Sequence, residues 1–270
     1  MNDFVRVEER PLYYEALDRE GGIGFIPTQK ALINVATGEP ISTVGINYQV
    51  VDNETVFGQL EDAIRLSNLD TNGMERNVST SHNGGRTVLS YTFPEHRIAI
   101  KKGDEVDLTI TALNSYDTSW RFRVLGGAFR ILCANGLIDG DTFLEYSGKH
   151  TISLDTERAI RNLETSLDGF LANAELWKTY PKIKVTPLQV NNVFEKLAQG
   201  SKSMLTGLNT NFEMYKDEVG QNLWALFNTL TEWSTHAKIK NEGNAPSIII
   251  NREEKVRKLL PMLEDIRLAA

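Results

Sequence analysis

The chain has 270 residues, 41% hydrophobic and 24% charged, with a mean hydropathy of -0.30; this excludes a disordered or fibrous protein and leaves a soluble globular one, long enough for one large domain or two smaller ones. The net charge of -7 argues at first against a polyanionic partner, and the single cysteine, Cys133, excludes an intramolecular disulfide or a cysteine-rich zinc site. No apolar run approaches the roughly 20 residues of a bilayer helix, and the start MNDFVRVEERP lacks the profile of a secretory signal, so no membrane association and a cytoplasmic location are expected.

In chain order, Ala31 to Val35 and Ile41 to Ile46 flank the turn Thr37-Gly38-Glu39-Pro40 and are expected to pair as a hairpin. Asn53 is placed to cap a helix in which Val56, Phe57, Leu60, Ala63 and Ile64 recur at helical spacing. Residues 71–85 are polar, hold Gly73, Gly84 and Gly85, and read as a loop. Four strands of a meander follow: Arg86 to Phe93, Arg97 to Ile100, Val106 to Leu113 and Ser119 to Leu125. Pro94-Glu95, Lys101-Lys102-Gly103-Asp104 and Asn114-Ser115-Tyr116-Asp117 separate them. Gly126-Gly127 reads either as a bulge or as the entry to a short buried helix or strand ending at Asn135-Gly136.

Beyond about residue 150 the period becomes helical. Ser153 or Asp155 can cap a helix carrying Ile160, Leu163, Leu167, Phe170, Leu171 and Ala174, stopped by Pro181. Pro187 opens a second helix, with Val190, Val193, Phe194 and Leu197 on one face and Gly200 closing it. A third is expected from about Phe212 to Ile239, and a last from Arg252, kinked at Pro261, with Val256, Leu259, Leu260, Leu263 and Ile266 aligned. Trp177, Trp224, Phe227 and Trp233 fall at core spacing. The expected fold is α+β: an N-terminal antiparallel β-meander with one helix over residues 1–140, then a helical half over 150–270 that packs on the sheet or on itself.

The stretch from Asp107 to Ile138 carries the one pattern that suggests chemistry. Trp120, Phe122 and Val124 alternate with Arg121 and Arg123, so a pleated strand there has an apolar face and a guanidinium face. Residues 75–138 hold 8 basic and 6 acidic residues, against 5 and 12 in residues 1–74 and 16 and 18 in residues 139–270. Screening confines charge effects to about 8 to 10 Å, so a basic face on an acidic protein remains usable. Arg86, Arg97, Lys101, Lys102, Arg121, Arg123 and Arg130 are candidate phosphate contacts, and Tyr116 or Trp120 a candidate base-stacking residue. The plainer alternative is that these arginines solvate a sheet face and that Trp120 belongs to the core.

Other chemistries are poorly served. Gly148-Lys149 is followed by His150 and lacks the first glycine of a phosphate loop, and neither GxGxxG nor GxSxG occurs. His82, His96, His150 and His236 stand apart from one another, which gives no metal-ligand spacing. Asp104, Glu105 and Asp107 beside Lys101-Lys102-Gly103 read as a solvated turn rather than a cation site, and Cys133 in its apolar run reads as a small core residue. No enzymatic activity, cofactor or metal is expected.

Three blocks, YQVVDNETVFGQLEDAI, then DLTITALNSYDTSWRFRVLGGAFRILCANGL, then LWALFNTLTEWSTH, occur in an order that resembles the phage- and plasmid-borne family known as domain of unknown function 932, over roughly residues 45 to 240. The resemblance brings no catalytic residues. It implies a setting on mobile elements, among replication and recombination genes, and the order of meander then helices is similar at fold level to ring-forming single-strand annealing proteins. Two functions are therefore expected: a homo-oligomeric protein that binds or anneals single-stranded DNA or RNA, or a phage-encoded interaction or assembly protein that uses its helical half and binds no nucleic acid.

Overall fold

The structure is a computed structural model that describes residues 4–15, 22–120, 122–130, 135–137, 142–145, 168–239 and 245–270. It is α+β, with antiparallel strands in two sheets followed by a helical C-terminal half. Contacts divide the chain into two compact units. One comprises Met1–Tyr91, Ile110–Gly126 and Asp141–Ser166, and the other Thr92–Thr109, Gly127–Gly140 and Leu167–Ala270.

In the first unit, β1 (Val7–Glu15), β2 (Ile23–Asn34) and β3 (Pro40–Gly45) form an antiparallel sheet in the order β1-β2-β3. The expected hairpin is β2–β3. Its turn is set by Asn34, whose Oδ1 accepts from the Ala36 amide at 2.9 Å, and by Gly38 at φ 74, a left-handed conformation that glycine adopts without strain. β1 was not legible as a strand, because Glu8, Glu9, Arg10 and Pro11 break any alternation; it is held by its ladder to β2. β3 pairs only Gln29 to Ile33 of β2, so Ile23 to Thr28 and the facing end of β1 project as a two-stranded arm. Tyr13, Tyr14, Ile23 and Phe25 on that arm are 62%, 53%, 78% and 52% exposed. Tyr13 and Phe25 are cross-strand partners with ring centroids 5.8 Å apart, while the Tyr14 ring covers Gly24 so closely that a Cβ there would lie 2.2 Å from it.

α1 (Asn53–Leu66) buries Val56, Phe57, Leu60, Ala63 and Ile64, the stripe the sequence marks out. Asp52, not Asn53, is its cap: the Asp52 carboxylate accepts from the Thr55 amide at 2.9 Å. Asn53 is instead a buried connector. Its side chain donates to Thr87 Oγ1 at 2.9 Å and accepts from Asn114 Nδ2 at 2.7 Å, and its amide donates to the Tyr116 hydroxyl at 3.0 Å.

The second sheet runs β4 (Glu75–Ser81), β5 (Arg86–Lys101), β6 (Asp104–Ser115), β7 (Arg123–Arg130) and β8 (Asn135–Leu137) in that order, with β9 (Thr142–Glu145) also pairing β7. Three local expectations are corrected. Residues 71–85 are not all loop, since β4 lies within them; its mostly exposed polar residues leave no apolar alternation to read. Arg86 to Lys101 is one strand that continues through Pro94. β7 starts at Arg123 rather than Ser119 and continues through Gly126-Gly127.

In the second unit, helical residues 168–177 form α2, followed by a 3-10 turn (Tyr180–Lys182), α3 (Pro187–Ala198), α4 (Lys202–Val219), α5 (Leu223–His236), α6 (Ala245–Arg257) and α7 (Leu260–Leu268). The expected second helix is α3: Thr186 and Gln189 make a capping box around Pro187, and Gln199 and Gly200 end it in left-handed geometry. The expected third helix is two helices, broken at Gly220 (φ 92) and restarted by Asn222, whose Oδ1 accepts from the Ala225 amide at 2.9 Å. Pro261 likewise lies at the start of a separate helix and does not kink a longer one. α5 is buried on nearly all sides by α4, α6, α7, the 3-10 turn and β8. Trp177 and Tyr180 pack on Phe227 with ring centroids 6.0 and 5.7 Å away, as core spacing implied. The expected helix from residue 153 lies outside the described residues up to Asp168, as does Cys133.

Candidate nucleic-acid interface

At one end of the first unit three turns converge. His82, Asn83 and Gly84, at φ 54, 53 and 80, carry β4 into β5. Asn34 Nδ2 donates to the Asn83 carbonyl at 2.9 Å and the Thr37 hydroxyl donates to Asn83 Oδ1 at 3.3 Å, which ties this turn to the β2–β3 turn. The Gly85 carbonyl then accepts from the Tyr116 amide at 2.7 Å, so the segment after β6 is fixed to the same corner. Two adjacent non-glycine residues in left-handed conformation are held here by these bonds.

On this frame Arg86 and Trp120 form a pair. Arg86 donates from Nε to Asp117 Oδ2 at 2.6 Å and from Nη2 to the Ser119 hydroxyl at 2.7 Å, and its guanidinium carbon lies 5.7 Å from the centroid of the Trp120 ring. Thr118, at φ 62, makes the bend that lets Ser119 and Trp120 fold back. The Trp120 amide donates to the Ser115 hydroxyl at 2.9 Å and its carbonyl accepts from the same hydroxyl at 3.1 Å. Burial would raise the Asp117 carboxyl, but hydrogen bonds from the Ser119 amide and hydroxyl and from Arg86, together with the charge of Arg86, hold it below its ordinary value. The nearby Tyr48 hydroxyl is pushed up to about 12 by burial and by the charge of Asp117.

The remaining candidates divide. Tyr116 is not a stacking residue: it is 1% exposed, packs with Leu32 and Val44, and its hydroxyl is occupied by Asn53, so no base can reach the ring. Burial also drives that hydroxyl well above its ordinary value. Trp120 is neither fully core nor free, being half-buried under Arg86. Phe122 and Val124 are buried, as the alternation requires. Arg123 is the cross-strand partner of Glu145, and Arg130 of Asn135. Arg121 lies outside the described residues.

The other named cations lie in the second unit. Arg97 grips the buried Asp107 with two bonds, Nε to Oδ1 at 2.8 Å and Nη2 to Oδ2 at 2.9 Å, with Glu105 at 3.7 Å. Lys101 and Lys102 lead into the β5–β6 turn at Gly103, the first half-buried and the second exposed. The reading of Asp104 and Asp107 as a solvated turn is corrected: both are buried, and Asp104 Oδ2 accepts from the indole Nε1 of Trp224 at 2.8 Å. Among the described residues no group of acidic, histidine or cysteine side chains has the arrangement of a metal site, and no helix is long and apolar enough to cross a membrane.

A further polar cluster has no signature in the sequence. Glu61 on α1 accepts at Oε1 from the Tyr91 hydroxyl at 2.7 Å and from Arg76 Nε at 2.9 Å, and the Arg76 guanidinium lies 5.3 Å from the Phe4 ring centroid. Each member is unremarkable in its own segment; only the pairing of α1 with β4 and β5 unites them.

The geometry defines an α+β protein with a guanidinium–indole corner. The family described as domain of unknown function (DUF932) matches residues 40–259, and the chain belongs to that family. No curated protein and no solved structure matches it.

Proposed function

We propose that this chain is a single-stranded nucleic-acid binding or strand-annealing protein of a phage or other mobile element, acting as a homo-oligomer without cofactor. The observation that carries this reading is the Arg86–Trp120 corner. A partly exposed indole, held by a fixed backbone and by a guanidinium that is itself anchored on Asp117 and Ser119, offers a base a stacking surface. Linking many such weak sites in an oligomer raises the strength of strand capture without new contacts. The test is retention of a labelled oligonucleotide at several salt concentrations. Binding that weakens linearly on a log–log plot supports it, and no retention even at low salt removes it.

The second reading, an assembly or interaction protein without nucleic-acid binding, is favoured by the arm of β1 and β2. Tyr13, Ile23 and Phe25 present apolar surface on one side of a two-stranded ribbon, and Tyr14 does so on the other. An isolated hairpin is marginal in water, and such surface usually meets a partner. Changing Tyr13 and Phe25 to serine separates the readings: loss of self-association with oligonucleotide binding intact assigns the arm to assembly.

A further inference from the structure

Between the end of α1 and the start of β4 the first unit holds a cleft of about 530 Å³ lined by Glu61, Arg65, Thr71, Gly73, Met74 and Arg76. That volume falls within the roughly 300 to 1,000 Å³ typical of small-ligand sites. Its floor is built, because the Glu61 carboxylate is fixed from below by Tyr91 and holds Arg76, whose guanidinium is backed by Phe4, itself packed at a tilt against Phe57 with ring centroids 5.0 Å apart. Arg65, one turn along α1, leans on the same carboxylate at 4.0 Å and on Asp62 at 3.2 Å, with its side chain 65% exposed. Within the lining one carboxylate thus faces two guanidinium groups, and the second carboxylate on Arg65, that of Asp62, is surface-exposed. On the other wall, Gly73 at φ 66 turns the chain, the Met74 amide donates to the Thr71 carbonyl at 3.1 Å, and Met74 supplies apolar surface.

We propose that this cleft is a binding site for a phosphate-bearing ligand of nucleotide size, with Arg65 and Arg76 on the phosphate and Glu61 positioning Arg76. Guanidinium groups match phosphate oxygens in geometry as well as charge, and Arg65 can exchange surface carboxylates for a phosphate at little loss, because exposed ion pairs are weak. The remaining volume and the Met74 side take the uncharged body of the ligand. A phosphate of this kind belongs either to a nucleic-acid strand or to a free nucleotide. Assigning it to a strand rests on the single-strand reading above, whereas the cleft itself does not.

The experiment measures binding of thymidine 5′-monophosphate, of thymidine and of a single-stranded oligonucleotide to the whole chain, to Arg65→Gln and to Arg76→Lys. The expected result is that the monophosphate binds and thymidine does not, and that Arg65→Gln weakens the monophosphate by about tenfold, the loss of one charge-assisted hydrogen bond. Arg65 is exposed, so this variant folds even if Arg76→Lys disturbs the contact with Phe4. If Arg65→Gln also weakens the oligonucleotide and lowers its salt slope by about 0.7, the cleft lies on the strand path. An unchanged oligonucleotide affinity assigns the cleft to a free nucleotide. A chain that binds the monophosphate but no oligonucleotide sinks the single-strand reading and leaves the cleft standing. The proposal is overturned if the monophosphate fails to bind, binds no better than thymidine, or binds both variants as tightly as the native chain.

Discussion

Glu253 offers the sharpest energetic test of the helical unit. It lies on α6, 8% exposed, and its Oε2 has no hydrogen-bond partner among the described residues; the same holds for Nε of Arg257, one turn further on. Burial pushes the Glu253 carboxyl up to about 8 from an ordinary 4.5, although Arg257 pulls the other way. The folded chain therefore keeps the group protonated at neutral pH while the unfolded chain ionises it. A raised carboxyl contributes stability that is fully present below 4.5 and is lost as pH rises towards about 8. The loss approaches 1.36 kcal/mol per pH unit within that window, which sums to at most about 3 kcal/mol by pH 7. Glu253→Gln fixes the neutral form and removes the dependence. Urea unfolding followed by tryptophan fluorescence should show native chain and variant within about 1 kcal/mol at pH 5 and the variant more stable by up to about 3 kcal/mol at pH 7. Two stability profiles that stay parallel from pH 5 to pH 8 would refute the argument.

Trp120→Ala should weaken oligonucleotide binding by about 1 to 3 kcal/mol with little change in melting temperature; a large fall in melting temperature would instead make the indole a packing residue under Arg86. Trp224→Phe keeps most of the ring volume but removes the donor to buried Asp104, and thermal unfolding should report a loss of about 1 to 3 kcal/mol. A Cβ at Gly85 would lie 2.7 Å from Ile41 Cγ2 and 2.9 Å from the His82 carbonyl, so Gly85→Ala should destabilise by about 1 to 3 kcal/mol, and an unchanged midpoint would show that this corner yields easily.

What was legible in the sequence follows from the range of the forces involved. α1 and α3 were readable because their apolar stripes and caps lie within a turn of each other: Val56, Phe57, Leu60 and Ile64 in one, Thr186, Pro187 and Gln189 in the other. The break at Gly220 was missed because apolar residues continue at helical spacing on both sides of it, and only the backbone at that glycine and the cap from Asn222 end one helix and begin the next. β1 and β4 were missed for the opposite reason: both are mostly exposed and are specified by ladders to β2 and β5 rather than by their own pattern. At the candidate interface, sequence placed Trp120 beside cations but not the particular cation. Arg86 reaches it only because β5 and the segment after β6 meet, 34 residues apart in the chain. Tyr116 was misjudged because a neighbouring polar turn looks like exposure in sequence, whereas Ser115 and Tyr116 turn inward to hold that bend.

The ion pairs also change what the basic character of residues 75–138 can mean. A charge count treats each arginine as available, yet Arg86 is bound to Asp117 and Arg97 to Asp107. These acids lie in the same stretch of sequence, so the pairs leave its net balance unchanged while two of its eight cations hold turns and strands together. Each phosphate contact on a single strand contributes about 0.7 to the salt slope. At that rate contacts from Arg121 and Arg123 would account for about 1.4, and changing both to glutamine should lower the slope by that amount while leaving base preference intact, because phosphate contacts position a strand without reading it. An unchanged slope in the double variant would remove β7 from the strand path. The Arg65–Arg76 cleft would then be the better candidate for the phosphate contacts, and the exposed arm of β1 and β2 for assembly.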